Sequence, residues 1–441
     1  MNLEEEFGVT EDGRLSLHGT DLVELCSRYG TPLFIFDEDR LRKNYRRFRN
    51  AFEKHYPNVI VCYSVKTNNN LAICNIMREE GAHVEVGSGL DLHVAIKANF
   101  PSERIIYDGL FKPEDVLREA VKHKVSLINV ESFSELKLLN RVAGEVGDGR
   151  KQNVGIRVST FTHGRLNPEQ VYCNPISRFG FSIEDALEAF KQAKKMENLE
   201  VKGIMIHPYW GIYQFLPLVR RIQEELKLTI QFINFGGGFA KPGTKKITIM
   251  DLAKDYLRQK LGLASSLDSP SKKKVREIEE SGRLTAAEVK KTLGNTEATI
   301  VFEPGRYLIH DAGYLLLRVG VVKKAEGFKW VVVDGGCNLN SDWLERRRIR
   351  IINRVSKEPE ELVNIVGPLL FARDFVAIKQ KLPRIETGDI LAISNSGAYT
   401  LSNSTQFLSP RPSAILVRQD GKAIEIRKKE TYDDVIRMDK V

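Results

Sequence analysis

Cysteine is scarce in this 441-residue chain, and the five present (Cys26, Cys62, Cys74, Cys173 and Cys337) are scattered. An odd number at irregular spacing argues against a disulfide framework, and none of the spacings suits a metal site, so no metal is expected. Also missing is any apolar run of the roughly 18 residues that a membrane span needs. The opening residues, Met1-Asn2-Leu3-Glu4-Glu5-Glu6, are acidic and lack the apolar stretch of a secretory signal. A reducing cytoplasm is the expected compartment, with no membrane partner. Repeats and low-complexity tracts are absent too. Lys and Arg exceed Asp and Glu by 67 to 58, a net charge of +9, yet the basic residues form no continuous stripe. Arg42 to Arg49, Lys272 to Lys274 and Arg346 to Arg350 are separate groups without interleaved aromatics, so nucleic acid is not an expected partner.

What is present is an ordinary globular composition, 42% hydrophobic and 28% charged, on a chain long enough for a large barrel and a second domain. The segment Gly8 to Leu15 reads as a hairpin turning at Asp12-Gly13. Eight apolar runs come next: Val59–Val65, His83–Val86, Arg104–Tyr107, Ser126–Val130, Val154–Val158, Val201–Ile206, Gln231–Phe235 and Thr299–Glu303. Helical patterns such as Asp37–Lys54, Leu71–Glu80, Lys112–Lys122, Glu131–Val146 and Ile183–Lys195 lie between them. Strands alternating with helices imply parallel βαβ units, and eight such units predict an α/β fold, a (β/α)8 TIM-type barrel. Ser265–Lys274 reads as a polar loop. After residue 311 the texture turns to β runs: Tyr314–Lys323, Lys329–Asp334, Arg348–Val355, Leu362–Val366, Asp389–Ser394, Ala414–Arg418 and Ala423–Arg427. The expected domains are residues 1–35, an N-terminal segment packing with the β domain; 36–310, the barrel; and 311–441, an all-β C-terminal domain.

In such a barrel the chemistry sits where the strands end. The first run leads into Lys66, a candidate nucleophilic amine if the barrel mouth desolvates it, or a lysine that merely reaches for water. The second carries Glu85, the fifth Arg157, and the sixth ends at His207, which could equally be a satisfied core histidine. The seventh runs into Gly236-Gly237-Gly238, and the eighth into Glu303-Pro304-Gly305-Arg306. Three glycines after a strand can bring N–H groups to a phosphate, although a bare tight turn is the commoner use. An amine, a phosphate cradle, an acid and a flat imidazole together suit pyridoxal 5′-phosphate (PLP), bound as a Schiff base on Lys66.

These residues resemble, in order, the fold-type III (alanine racemase-like) PLP-dependent decarboxylases, the family of the diaminopimelate, ornithine and arginine decarboxylases. Tyr63-Ser64-Val65-Lys66-Thr67-Asn68 is similar to the family's cofactor-lysine motif, Glu85-Val86-Gly87-Ser88 to its Asp-x-x-Ser and Asn129-Val130-Glu131-Ser132 to its Asn-Val-Asp-Ser. Arg178-Phe179-Gly180, Gly236-Gly237-Gly238-Phe239, Glu303-Pro304-Gly305-Arg306, Gly397-Ala398-Tyr399 and Arg411-Pro412 resemble further family segments. The resemblance implies an amino-acid decarboxylase acting as a homodimer with a shared active site. It also implies roles: Lys66 anchors the cofactor, Glu303 keeps the ring nitrogen protonated and His207 stacks on the ring. Glu85 influences Lys66, while Gly238, Gly305, Arg306 and Tyr399 hold the phosphate region, with Arg306 alternatively meeting a substrate carboxylate.

Three departures mark an atypical member. Where the family carries Gly-x-x-Cys-Glu, this chain has Gly367-Pro368-Leu369-Leu370-Phe371-Ala372-Arg373-Asp374, and neither leucine nor phenylalanine can donate a proton or pair with an ammonium. The sixth-strand His-x-Gly-Ser becomes His207-Pro208-Tyr209-Trp210, and the Arg-Pro-x-x-Tyr segment is replaced around Asp342-Trp343-Leu344-Glu345-Arg346. Arg346 and Asp374, with Arg306, become the candidate substrate-binding residues, and the proton donor is left open among Lys66, Cys337, Asp374 and water. The expected substrate is an unusual amino acid whose far end is apolar, larger or anionic. Racemisation or epimerisation, other carbanion chemistry, and a non-catalytic PLP-binding relative remain alternatives.

Overall fold

Short β-rich runs buried on both faces leave the chain little choice but a closed parallel sheet. In the computed structural model, which describes residues 7–159, 178–239, 245–246, 276–340, 345–355 and 359–440, the eight runs form that sheet. Its strands, numbered first to eighth in chain order, are Val59–Ser64, His83–Val86, Ile105–Tyr107, Leu127–Val130, Gln152–Val158, Leu199–Ile206, Phe232–Asn234 and Thr299–Phe302. All neighbours pair in parallel, and the ring closes where the eighth strand lies beside the first, Ile300 opposite Val59. Cys62, Ile106, Leu127 and Val301 form one buried cluster of the barrel.

The helices between strands are capped as their sequences dictate: Asn70, Ser88, Ser132 and Ser182 each accept a backbone N–H of the first turn. The helix Glu38–Glu53 packs an aromatic face, with Phe52 4.1 Å from Phe302 and Phe48 4.9 Å from Phe239. The helix Ile278–Leu293 crosses it at Gly282, where an added Cβ would lie 1.8 Å from the Ala51 carbonyl oxygen.

The barrel residues form one compact unit, Asn44–Phe239 with Arg276–Leu308; the second unit takes the chain up to Lys43 and from Ile309 onward. That second unit is built on a nine-stranded sheet. Its long strand Gly313–Ala325 pairs antiparallel with Phe328–Val333, Ile390–Ile393 and Leu33–Asp37; Leu33–Asp37 in turn lies parallel to Ser413–Val417. The N-terminal hairpin is present, with Val9 opposite Leu15, and Leu15 and Leu17 join the core of this unit beside Tyr314 and Ile415. A strand that the sequence pattern does not predict, Phe375–Pro383, forms the edge beyond Glu360–Val366; its lysines interrupt the apolar pattern because that edge is partly solvated. The polar stretch Ser265–Lys274 lies outside the described residues. No helix among the described residues is long and apolar enough to cross a membrane.

The helix crossing gives a test of packing. Gly282→Ala is expected to cost about 2–3 kcal/mol, as overpacking against a backbone atom does, read as a lowered denaturation midpoint with an unchanged slope.

Candidate active site

Each candidate group of the barrel sits where a strand runs out. Beyond Ser64 the first strand tightens into a 3-10 turn, Val65–Thr67, that presents Lys66. Its Nζ donates to both oxygens of Glu85, at 2.9 and 2.8 Å, and the Ser64 hydroxyl also donates to Oε2 of that carboxylate. Glu85 is buried, whereas the Lys66 side chain is 51% exposed. The amine is therefore met by a carboxylate on a side chain that is half exposed. Burial pushes the Glu85 carboxyl up, but Lys66 outweighs it and holds the group below the ordinary carboxylate range.

His207, at the end of the sixth strand, precedes a cis peptide to Pro208. Its Nδ1 accepts from the Gly237 N–H at 3.1 Å, which leaves the ring proton of the neutral imidazole on Nε2. Burial, then Arg157 and Lys66, lower its pKa to about 4. The glycine turn is shaped around this ring. Gly236 and Gly238 adopt φ of 62° and 92°, and a Cβ on Gly236 would lie 3.0 Å from His207 Nδ1. The Gly236 N–H donates to Asn234 Oδ1 at 2.8 Å and the Gly237 N–H to His207, so these two glycines build the turn and their donors are already engaged. The Gly238 N–H has no acceptor among the described residues. At the end of the eighth strand, Gly305 allows close approach to the first: its Cβ would lie 2.0 Å from Thr67 Oγ1. Arg306 then opens a short helix, Arg306–Ile309.

Glu303, directly after the eighth strand, is buried, and Asn234 donates to its Oε1 at 2.6 Å. Burial, with Asp108 and Glu85 nearby, holds its carboxyl well above the usual range. Asp108, at the end of the third strand, is not among the residues singled out from the sequence, nor is Asn234; Asn129 enters there only within the segment Asn129-Val130-Glu131-Ser132. Asp108 is buried and accepts from Asn129 Nδ2 at 2.6 Å. Its only sequence signal is an acid one residue beyond an apolar run. Arg157 is tied to buried Glu131 at 2.6 Å.

The remaining candidates belong to the other unit. Tyr399 adopts a left-handed φ of 56° just after Gly397, where a Cβ would lie 1.7 Å from the Ile309 carbonyl oxygen. Asp374 is 5% exposed, its Oδ1 accepting from the Cys337 N–H at 2.7 Å and its Oδ2 from the Leu369 N–H at 2.8 Å. It closes its own loop, from which Leu370 projects 98% exposed. The backbone of Arg346 lies in a two-residue strand, while its side chain, and Asp342 to Leu344, fall outside the described residues.

The barrel groups fit PLP on their own terms. Lys66 supplies an amine, Gly238 a spare donor and His207 a neutral flat ring, while Glu303 and Asp108 are buried acids that form no ion pair among the described residues, which a protonated ring nitrogen would complement.

Residues 38–310 match the model of the family described as pyridoxal-dependent decarboxylase, pyridoxal binding domain. The chain is 33% identical to the diaminopimelate decarboxylase of Methanothermobacter thermautotrophicus, over 97% of this chain and 96% of that one. It is 30% identical to that of Aquifex aeolicus, over 96% and 95% respectively. A crystal structure of diaminopimelate decarboxylase from M. jannaschii superposes with a TM-score of 0.85 at 28% identity, covering 99% of this chain and 98% of that one.

The imidazole gives a direct test. His207 is expected to titrate near pH 4 by NMR, its resonance assigned by loss in His207→Gln. Because the folded value lies below the unfolded one of about 6.5, folding stability tied to this residue is lost as pH falls from there toward 4, and His207→Gln should flatten that acid limb. A midpoint near the free-imidazole value would show a solvated ring.

Proposed function

On the premise that this chain belongs to the pyridoxal-dependent decarboxylase family, we propose that it removes the α-carboxyl group of an amino acid. The observation that carries the reading is the presentation of Lys66 to Glu85 at the end of the first strand, with buried Glu303 at the end of the neighbouring eighth. When bound, PLP supplies an electron sink that accepts the electron pair left at Cα as carbon dioxide departs. Lys66 would anchor its aldehyde carbon, and Glu85 holds the amine in place and accepts its protons. Glu303 would face the ring nitrogen, the neutral His207 ring would lie against the cofactor face without adding charge, and Gly238 with Gly305 and Arg306 would receive the phosphate. Tyr399 is assigned to the same phosphate region.

Asp374 is assigned to holding its loop, because both of its oxygens accept backbone N–H groups. The relatives from M. thermautotrophicus and A. aeolicus act on diaminopimelate, as their names say. This chain has Leu370 and Phe371 in the loop that Asp374 closes, so we assign it an amino acid whose far end is not an ammonium, with Arg306 and Arg346 assigned to recognise an anionic one. The working form is a homodimer in the cytoplasm, in which a second copy covers the exposed Leu370 and Phe371. Residues 36–310 form the cofactor-binding domain, 311–441 the β domain, and 1–35 pack with the latter.

Carbon dioxide release from a panel of amino acids, including acidic and N-substituted ones, tests the reaction. Lys66→Ala should reduce it by at least about 1,000-fold, in line with loss of a covalent group, and should abolish borohydride fixation of PLP to the protein. Exchange of the Cα hydrogen with solvent without any carbon dioxide would replace this reading by racemisation or related chemistry.

A further inference from the structure

A serine closes the first barrel strand at the end of an apolar run, Val59-Ile60-Val61-Cys62-Tyr63-Ser64, and it is buried. A buried hydroxyl must find an acceptor, but the acceptor need not be charged. The hydroxyls of Ser281, Ser396 and Ser404, also buried, donate to backbone carbonyls three or four residues earlier. Ser64 instead lies opposite Glu85 where the first and second strands pair, and its Oγ donates to Glu85 Oε2. Gly305, at the exit of the eighth strand, closes the other side: a Cβ there would stand 3.3 Å from that of Ser64. The hydroxyl is thus fixed between two strand ends.

The two oxygens of Glu85 are consequently unlike. Oε2 accepts from Ser64 and, at 2.8 Å, from Lys66 Nζ, whereas Oε1 accepts from Lys66 alone among the described residues, at 2.9 Å. Resting on the reading of Lys66 as the cofactor lysine, we propose that Ser64 is a positioning residue: it anchors Oε2 so that Oε1 takes the proton that Lys66 sheds, and it keeps the carboxyl in place when the amine turns toward an aldehyde carbon. An ammonium has no lone pair with which to attack a carbonyl carbon. One N–H bond of Nζ therefore breaks and an O–H bond forms on Oε1 before the amine acts, and the proton stays within the pair. Ser64 and Lys66 are the only donors to Glu85 among the described residues, so without Ser64 the carboxyl would lose its last one as Lys66 departs. A buried polar group left without a partner is costly.

The other groups around Glu85 do not fill this part. Asp91, on the helix Gly89–Lys97, faces the same point: a Cβ on Gly87 would lie 3.5 Å from Glu85 Oε1 and 3.6 Å from Asp91 Oδ2. That Asp91 oxygen already accepts the Gly87 N–H at 3.1 Å. Asp108 and Glu303, at the ends of the third and eighth strands, are further buried acids. Burial keeps Cys62 a thiol, and His207 is neutral. Burial pushes the Glu85 carboxyl up, while Lys66, and Ser64 after it, pull it down. Removing the Ser64 hydroxyl raises Glu85, so the acidic limb of a step that needs its carboxylate moves to higher pH.

The rate at which the full chain, purified without cofactor, captures added PLP on Lys66 tests this, followed across pH by absorbance and by borohydride fixation. Ser64→Ala should slow capture about 10-fold near neutral pH, the scale of one hydrogen bond to a charged group, and should move its acidic limb upward. Ser64→Cys, similar in shape but a weak donor, should do the same and serves if Ser64→Ala does not fold. In a Glu85→Gln background Ser64→Ala should have no further effect, because the group it positions is gone. Capture by the Ser64 variants at the natural rate with an unmoved limb, or an equal slowing in the Glu85→Gln background, overturns the proposal. If the natural protein captures PLP on Lys66 and the Ser64 variants match it, only the role of Ser64 falls. If the natural protein captures none, the cofactor reading falls, and the positioning role with it.

Discussion

Charge at the ends of the barrel strands has to be matched, and that constraint organises this site. Removing an ion from water costs several kcal/mol even after relaxation, so each buried cation here is met by its own carboxylate. The pairing of Lys66 with Glu85 is the one from which the others take their sense. With Glu85 committed to that amine, Glu303 and Asp108 each accept from an asparagine amide and form no ion pair among the described residues. Affinity for a protonated pyridine ring thus follows from what the protein lacks as much as from what it contains.

The same geometry explains why the glycine turn after the seventh strand matters more to the imidazole than to any phosphate. Gly236 and Gly237 let the backbone come close to His207, and the Gly237 N–H fixes which ring nitrogen bears the proton. A neutral ring of known tautomer is a flat, uncharged surface, which is what a cofactor ring needs beside it. The work of the turn is therefore divided, with one donor, on Gly238, left without an acceptor among the described residues.

Much of the fold was legible in the sequence because parallel strands buried on both faces read as unbroken apolar runs, and all eight barrel strands lie at those runs. The edge strand Phe375–Pro383 was not, since Lys379 and Lys381 on a partly solvated edge break the alternation. Lys66, Glu85, His207 and Glu303 could be picked out because each follows or ends a run. Asp108 could not: an acid after a strand looks like any turn residue, and its burial against Asn129 follows only from the pairing of the third and fourth strands. Asp374 shows the opposite case. Its position in a divergent loop suggests a substrate contact, and its two oxygens also accept the N–H groups of Cys337 and Leu369, a role that no local sequence pattern signals.

The strand Leu33–Asp37 lies between Gly313–Ala325 and Ser413–Val417, so one of the first segments made pairs with two of the last. At ribosomal speeds it waits on the order of half a minute for both partners to emerge. The barrel residues are complete well before then and can collapse during synthesis, while an apolar Leu-Phe-Ile-Phe stretch remains unmatched beside them. Nascent chains stalled shortly before residue 413 would leave that stretch without its parallel neighbour, which makes it the natural foothold for a chaperone.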